Sequence, residues 1–262
     1  MSDTTITATV IKDSLNVDYG SRLTTLAIRF PRCILPQVLT HRAFSRNTSS
    51  SRAIPTSKLL NRDPWIPTKV GINKPGMSAE EYLEGADLAE FQNDIELLYH
   101  EVREEIEWLS KKFNVHKQTL NRYLEPWLMT TMLVSATEWD NFFALRLHHT
   151  TQPEMQELAQ RMKEALDAST PTKMSAGKWH VPFEDNGDHR VLDIAVGRCA
   201  RVSYETHDGI RDREKDIELC DKLKKEGHWS PFEHVACAHF AEYGGANFRG
   251  WVQYRSIVEG TQ

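Results

Sequence analysis

The chain has 262 residues, 40% hydrophobic and 9% aromatic, with a net charge of -5, which suits a globular protein burying a sizeable core in one large or two small domains. No run of about 18 uncharged apolar residues occurs and the first residues lack a basic or apolar leader pattern, so membrane insertion and secretion are not expected and a cytoplasmic setting is. Cys33, Cys199, Cys220 and Cys237 are widely spaced with no C-x-x-C pair, which fits reduced, mostly buried thiols rather than a disulfide framework.

Residues 4–12 and 22–30 alternate and are rich in Thr, Ile and Val, which predicts two strands. Residues 33–44 predict a short helix that opens into a polar run. Residues 19–62 contain no Asp or Glu but do contain Arg22, Arg29, Arg32, Arg42, Arg46, Arg52, Lys58 and Arg62, and removing these eight charges leaves the remainder at about -13. Residues 55–77 are broken by prolines and glycines and predict a loop long enough to wrap a ligand or a subunit. Ser78 with Glu81 then predicts a capping-box start for one long amphipathic helix, whose apolar positions from Leu88 to Phe113 recur at spacings of three and four. Such a helix belongs to a core or a subunit interface.

Further helices are predicted over residues 116–124 and 137–148, and from Pro153, which suits a first helical position. A polar loop through Trp179-His180-Val181-Pro182 leads to helices over 193–203 and 213–225 and a strand over 234–243. Strands thus lie at both ends and helices dominate the middle. The expected fold is α+β, a single domain over residues 1–262 with a small antiparallel or mixed sheet formed by the N- and C-terminal segments and packed on long central helices.

The centre of the acid-free segment reads Thr40-His41-Arg42-Ala43-Phe44-Ser45-Arg46-Asn47-Thr48-Ser49-Ser50-Ser51-Arg52. Hydroxyls, an amide and planar guanidinium forks within so few residues suit a phosphate or the carbonyl and imide edge of a base. Serine–arginine runs also occur in disordered nucleic-acid-binding segments, so a nucleic-acid-binding module is the competing reading. Its expected broad basic face is missing, because the chain is acidic outside this segment.

The run resembles the R-H-R-x-x-S-x-N-x-x-S-x-R signature of the flavin-dependent thymidylate synthases, matched by His41, Arg42, Ser45, Asn47, Ser50 and Arg52. Four other blocks resemble the same family. They are the arginine block Asn121-Arg122-Tyr123-Leu124-Glu125-Pro126, the helix bearing Asn141, Leu145, Arg146, Gln152 and Glu154, the block Ala200-Arg201-Val202-Ser203-Tyr204, and the block Gly227-His228-Trp229-Ser230-Pro231-Phe232-Glu233-His234. In the family the last two precede the R-H-R block, whereas here they follow it, so the motif order looks circularly permuted. Residues 250–255 also resemble residues 37–42 without the Ser-Asn-Ser-Arg continuation, which assigns the site to the first copy and a structural role to the second.

This resemblance implies methylation of deoxyuridine monophosphate (dUMP) to thymidylate with FAD, NADPH and methylenetetrahydrofolate, in a homotetramer with sites at subunit interfaces. By position, His41, Arg42, Asn141, Ser203, His228 and Ser230 would bind flavin, and Gln37, Ser50, Arg52, Arg122 and Arg146 the nucleotide. Arg146, Ser50 and Arg52 are the catalytic candidates, with Arg146 stabilising charge on the uracil carbonyls and Arg52 and Arg122 on the phosphate. Asn141 and Arg146 stand about 140° apart on a helical wheel, so one helix would meet both ligands.

No Cys lies where a classical nucleophile would be activated, which suits hydride chemistry instead. Two departures stand out: Thr40 replaces the first Arg of the signature, and Thr48 the usual Glu beside the Asn, with Arg46 a candidate to compensate. They leave room for a related enzyme acting on another pyrimidine base or leaving a hydroxymethyl group. His148, His149 and Glu154 lack metal-site spacing. Glu233 and His234 read as a structural hydrogen-bonding pair more than an acid–base pair.

Overall fold

The computed structural model describes residues 4–184, 189–206, 209, 212–241 and 247–260. Strands β1 (Thr7–Asn16) and β2 (Ser21–Pro31) form an antiparallel hairpin whose register runs from Thr7 opposite Arg29 to Asn16 opposite Ser21. Asn16 makes the turn, its Oδ1 accepting from Asp18 N at 3.1 Å and Tyr19 N at 3.3 Å, and Gly20 supplies the left-handed φ of 83°.

The short helix α1 (Leu35–Leu39) leads to β3 (Ser45–Thr48), then α2 (Thr56–Leu60), the long α3 (Gly85–Phe113) and α4 (Lys117–Leu120). Strand β4 (Met129–Ala136) lies between β3 and β2, followed by α5 (Asp140–Arg146), α6 (Pro153–Ala168) and β5 (Thr172–Met174). The five-stranded sheet has the order β3-β4-β2-β1-β5 and is mixed, because β5 alone runs parallel to its neighbour β1. A second sheet joins β6 (Trp179–His180), β7 (Ala236–Ala238) and β8 (Trp251–Gln253), with helices α7 (Val191–Arg201) and α8 (Arg213–Glu226) beside it and α9 (Tyr254–Glu259) at the end.

The α+β class with a mixed sheet and packed helices is as expected, but the pairing differs in one respect. The N-terminal strands pair with β4 from mid-chain, and the C-terminal strands form their own sheet. Strand β4 escapes the sequence reading because all eight of its residues are buried, which leaves no alternation to detect. The expected strand over 234–243 shrinks to β7, and residues 242–243 lie outside the described residues.

Helix α6 starts at Pro153 as its sequence predicts and lays Met155, Leu158, Ala159, Met162 and Leu166 across Leu26, Ile28 and Phe30 of β2. Leu158 is fully buried there. Leu158→Ala is expected to lower stability by about 3 kcal/mol through lost transfer energy and a residual cavity, read as a fall in the urea midpoint at unchanged m-value. On the opposite sheet face Leu133 of β4 meets Cys199 of α7 and Val202 beyond it.

Helix α3 begins at Gly85 rather than at Ser78, and no side chain caps it. The backbone explains this, because residues 70–83 fold back on themselves with Ile72 N bonded to Glu81 O and Leu83 N to Val70 O, both at 2.8 Å. Gly71 is required in that turn, since a Cβ would lie 2.3 Å from the Ala79 Cβ. Only Tyr99 and Ile106 of α3 are fully buried, and Leu97, Leu98, Trp108 and Phe113 are exposed.

Candidate active site

Within the polar run one aromatic side chain enters the hydrophobic core. Phe44 is 1% exposed and packs on Trp139 and Phe142 with ring centroids 4.8 and 5.1 Å away. This fixes β3, along which Ser45 and Asn47 point inward and Arg46 and Thr48 are half-buried. Before it, α1 presents Gln37, which hydrogen-bonds Gln152. His41 stands edge-on to Phe142 and accepts a hydrogen bond from Arg146 Nε at 2.9 Å through Nε2. Burial, then the cations of Arg146 and Arg46, push the His41 imidazole down to about 4, so it is neutral near pH 7 and free to accept. Arg146 Nη2 also lies 3.4 Å from Thr40 Oγ1, and Thr40 Oγ1 donates to Gln37 O at 2.7 Å. Thr40 therefore helps to seat Arg146.

Separate blocks meet on β3 and just beyond it. Asn47 Nδ2 donates to Cys199 O at 2.7 Å, Ser203 Oγ donates to Asn47 Oδ1 at 3.2 Å, and Ser50 N donates to Ser203 O at 3.0 Å. The 3-10 helical turn Ser230–His234 packs against β3 as well. Next along the chain, Asn121 is fully buried and its Nδ2 donates to Ser51 O at 2.7 Å and Ile54 O at 2.9 Å. Ser51 Oγ donates to Glu125 Oε1 at 2.6 Å, and Arg32 Nε lies 3.1 Å from the same carboxylate. Arg52 and Arg122, the sequence neighbours of Ser51 and Asn121, are both exposed.

The positive charge of the segment is thinner than the sequence implies. Arg22 pairs with Asp13 at 2.7 Å, Arg32 with Glu125, and Arg62 with Glu205. Among the described residues Arg42, Arg46, Arg52 and Lys58 have no carboxylate partner. Arg46, the candidate to compensate for the missing signature arginine, donates from Nη1 to Leu39 O.

Of the candidates, the fold thus brings His41, Arg146 and Gln37 into one group and Ser50 and Ser203 into another, with Arg52 and Arg122 beside the second. The side chains of Asn141, Arg42 and Ser230 are exposed and without a hydrogen bond among the described residues. His228 is exposed too, its backbone N closing the end of α8 on Leu223 O at 3.0 Å and its Nε2 3.5 Å from Glu226. Open clefts of about 510 Å³ beside α3 and about 470 Å³ between α6 and Trp65 contain none of these residues. No group of three or more potential metal-ligating side chains occurs among the described residues, and no described helix is long and apolar enough to cross a membrane.

The sequence reading missed two contributors. Gln253, in the second copy of the motif, is 4% exposed and its Nε2 donates to Ser45 Oγ at 2.9 Å and Glu233 O at 3.1 Å. This is the structural role expected of residues 250–255, and the likeness to Gln37 was its only signal. Glu125, inside the Arg122 block, anchors Ser51 and Arg32.

Comparison with known proteins agrees with these blocks. The family model described as "Thymidylate synthase complementing protein" matches residues 22–172, which hold the first three blocks, while the Ala200–Tyr204 and Gly227–His234 blocks lie beyond it. The flavin-dependent thymidylate synthase of Thermotoga neapolitana is 31% identical over 80 residues, 29% of this chain and 36% of that relative's length. A UMP/dUMP methylase, PolB from Streptomyces cacaoi, solved with 5-Br UMP, superposes with a TM-score of 0.50 at 17% identity, over 62% of this chain and 89% of the other. The flavin-dependent thymidylate synthase ThyX of Helicobacter pylori, solved with FAD and dUMP, gives 0.40 at 21% identity over 55% and 67%. With more than half of its length matched by the family model, the chain belongs to the thymidylate synthase complementing protein family.

Proposed function

We propose that the protein is a flavin-dependent thymidylate synthase that methylates dUMP, taking the one-carbon unit from methylenetetrahydrofolate and reducing equivalents from NADPH by way of FAD. The observation that carries this reading is the meeting of separate blocks by direct hydrogen bonds, Asn47 with Cys199 and Ser203, Ser50 with Ser203, and Asn121 with Ser51. Together they leave the side chains of Arg42, Arg52, Arg122, Asn141 and Ser230 exposed and, among the described residues, without a hydrogen bond. Guanidinium, amide and hydroxyl donors fit the phosphates, ribityl hydroxyls and ring carbonyls of FAD and a nucleotide. FAD, when bound, would supply the hydride that completes the methyl group.

The chain's own part is binding and charge. Arg52 and Arg122 take the nucleotide phosphate with Gln37 and the Ser50 hydroxyl at its rim. Arg146, held at its Nε by neutral His41, faces the uracil carbonyls. His41, Arg42, Asn141, Ser203, His228 and Ser230 form the flavin side. Cysteine chemistry is disfavoured, since burial raises the thiols of Cys199 and Cys220, and Cys33, also pushed up by nearby Glu154, sits at about 11. The scattered exposed donors and the absence of these residues from the two clefts suit a site completed by other subunits, so the proposal includes a homotetramer. It also treats residues 1–262 as one permuted domain working in the cytoplasm.

The test is the visible spectrum of the purified protein with and without added FAD, followed by mass analysis of the product. The expected outcome is a yellow protein that converts dUMP to thymidylate, with Arg52→Ala keeping the flavin and losing at least tenfold in kcat/KM for the nucleotide. A protein that takes up no FAD would overturn the proposal. The exchanges at Thr40 and Thr48 favour one second reading, a related methylase or hydroxymethylase with another base or sugar. A product from UMP or a cytosine nucleotide, or a hydroxymethyl product, would establish it.

A further inference from the structure

Five side chains, all fully buried, form one unbroken hydrogen-bonded row through the middle of the protein. Ser14 Oγ of β1 meets His180 Nδ1 of β6 at 2.8 Å, and His180 Nε2 meets Thr25 Oγ1 of β2 at 2.8 Å. Thr25 Oγ1 meets Ser135 Oγ of β4 at 2.6 Å, and Ser135 Oγ meets His234 Nδ1, the last residue of the 3-10 turn, at 2.8 Å. His234 Nε2 is buried with no partner among the described residues.

The proton count is restrictive. Three hydroxyls and two neutral imidazoles carry five protons for four bonds, so one proton always lies outside the row and the row has four complete orders. In one, Ser14 donates to His180 and every later link follows, leaving an N–H at His234 Nε2. In a second, every bond is reversed, leaving a lone pair there. In the remaining two, Thr25 or Ser135 accepts from both neighbours, with the protons on His180 Nε2 and His234 Nδ1. No hydroxyl can donate to both neighbours, so Nδ1–H on His180 together with Nε2–H on His234 is the one tautomer pair that breaks the row. Burial pushes both imidazoles down to about 3, with Lys12 and His234 adding to the effect at His180 and Asp13 opposing it. Both rings are therefore neutral.

We propose that Ser14, His180, Thr25, Ser135 and His234 form a proton-ordered relay, and that His234 is through it a positioning residue holding the Ser230–His234 turn against the large sheet. The flavin half of this rests on the function proposed above, in which Ser230 of that turn contacts FAD. The turn has few other polar ties to the large sheet. Gln253 bridges Glu233 O to Ser45 of β3, and Arg255 holds the Glu233 carboxylate, so the link from His234 to Ser135 is the direct side-chain tie that sets where the turn stands relative to β4.

The test uses the full chain in two ways. Imidazole ¹⁵N spectra at pH 7 are expected to show His180 and His234 neutral and in any tautomer pair but Nδ1–H on His180 with Nε2–H on His234, an exclusion that packing alone does not require. FAD titrations compare His234→Asn, whose amide sits where Nδ1 was and can donate or accept, with His234→Gln, whose amide sits at the Nε2 position. His234→Asn is expected to stay within about threefold of the wild-type Kd and His234→Gln to weaken it about tenfold, the size of one net hydrogen bond. Should His234→Gln fail to fold, Thr25→Val, isosteric and away from the turn, is expected to break the row and weaken FAD binding alike. Nδ1–H on His180 together with Nε2–H on His234 in the wild type, or wild-type FAD affinity in folded His234→Gln or Thr25→Val, would refute the positioning role. A wild-type chain with a permitted tautomer pair that binds no FAD would uphold the relay and refute the proposed function instead.

Discussion

Arg146→Ala is expected to lower kcat for dUMP methylation by about 10²- to 10³-fold while leaving the protein folded and able to bind FAD, the loss typical of removing one preorganised donor at developing negative charge. The side chain is half-buried but holds no carboxylate and closes no core contact, so stability should change little. Its bonds run to His41 Nε2 and Thr40 Oγ1, two neutral acceptors that orient the guanidinium without neutralising it. An arginine kept charged and aimed in this way is preorganised for a carbonyl. Removing it also takes away the second cause of the depressed His41 pKa, after burial, so His41 should titrate higher in the variant. Steady-state kinetics, bound-flavin absorbance and the His41 titration by NMR check the three parts separately. Retention of more than a tenth of wild-type turnover would remove Arg146 from the role assigned to it.

Asp216→Ala should produce the largest loss of stability, about 3–5 kcal/mol, because it removes the buried carboxylate that two arginines share. Asp216 is fully buried between α7 and α8, receiving Arg198 Nε at 3.1 Å and Arg201 Nε at 2.5 Å. Arg198 is 3% exposed and also donates to Phe183 O at 2.7 Å, so water does not replace the lost carboxylate cheaply. The helices cross closely at Gly197, where a Cβ would lie 2.2 Å from Asp216 O, so the site is tightly packed around the carboxylate. Arg201 directly precedes the 3-10 turn that carries Ser203, so the damage should reach the Asn47–Ser203 contact. Urea titration reads the first effect, and a joint replacement of Asp216, Arg198 and Arg201 by apolar residues should recover much of the loss. A change below about 1 kcal/mol in Asp216→Ala would mean that the triad is solvated.

Some of this architecture is written locally in the sequence and some is not. The β1–β2 hairpin shows through its alternation, and α6 through Pro153, because one face of each is wet and one is dry. Strand β4 shows no such contrast, being covered on both faces. The start of α3 was misread at Ser78 because a capping box signals only a local preference, and the ladder between residues 70–72 and 81–83 outcompetes it. For the candidate site, the motif blocks located the residues in the chain. What they could not show is that Asp13, Glu125 and Glu205, all outside the acid-free segment, fold back to neutralise three of its arginines. Nor does any local pattern mark His180, whose two hydroxyl partners lie on different strands.

The placement of β4 beside β2 has a consequence for the birth of the protein. Phe30 finds its partner Thr130 about a hundred residues later, so at synthesis rates of about 5–20 residues per second the hairpin leaves the ribosome some 5–20 seconds before its inner edge can be closed. Through that interval Leu26, Ile28 and Phe30 have neither β4 nor α6 over them. The nascent chain thus carries an open, apolar strand edge for longer than most local folding takes, and its yield in a cell will depend on what shields that edge while translation continues.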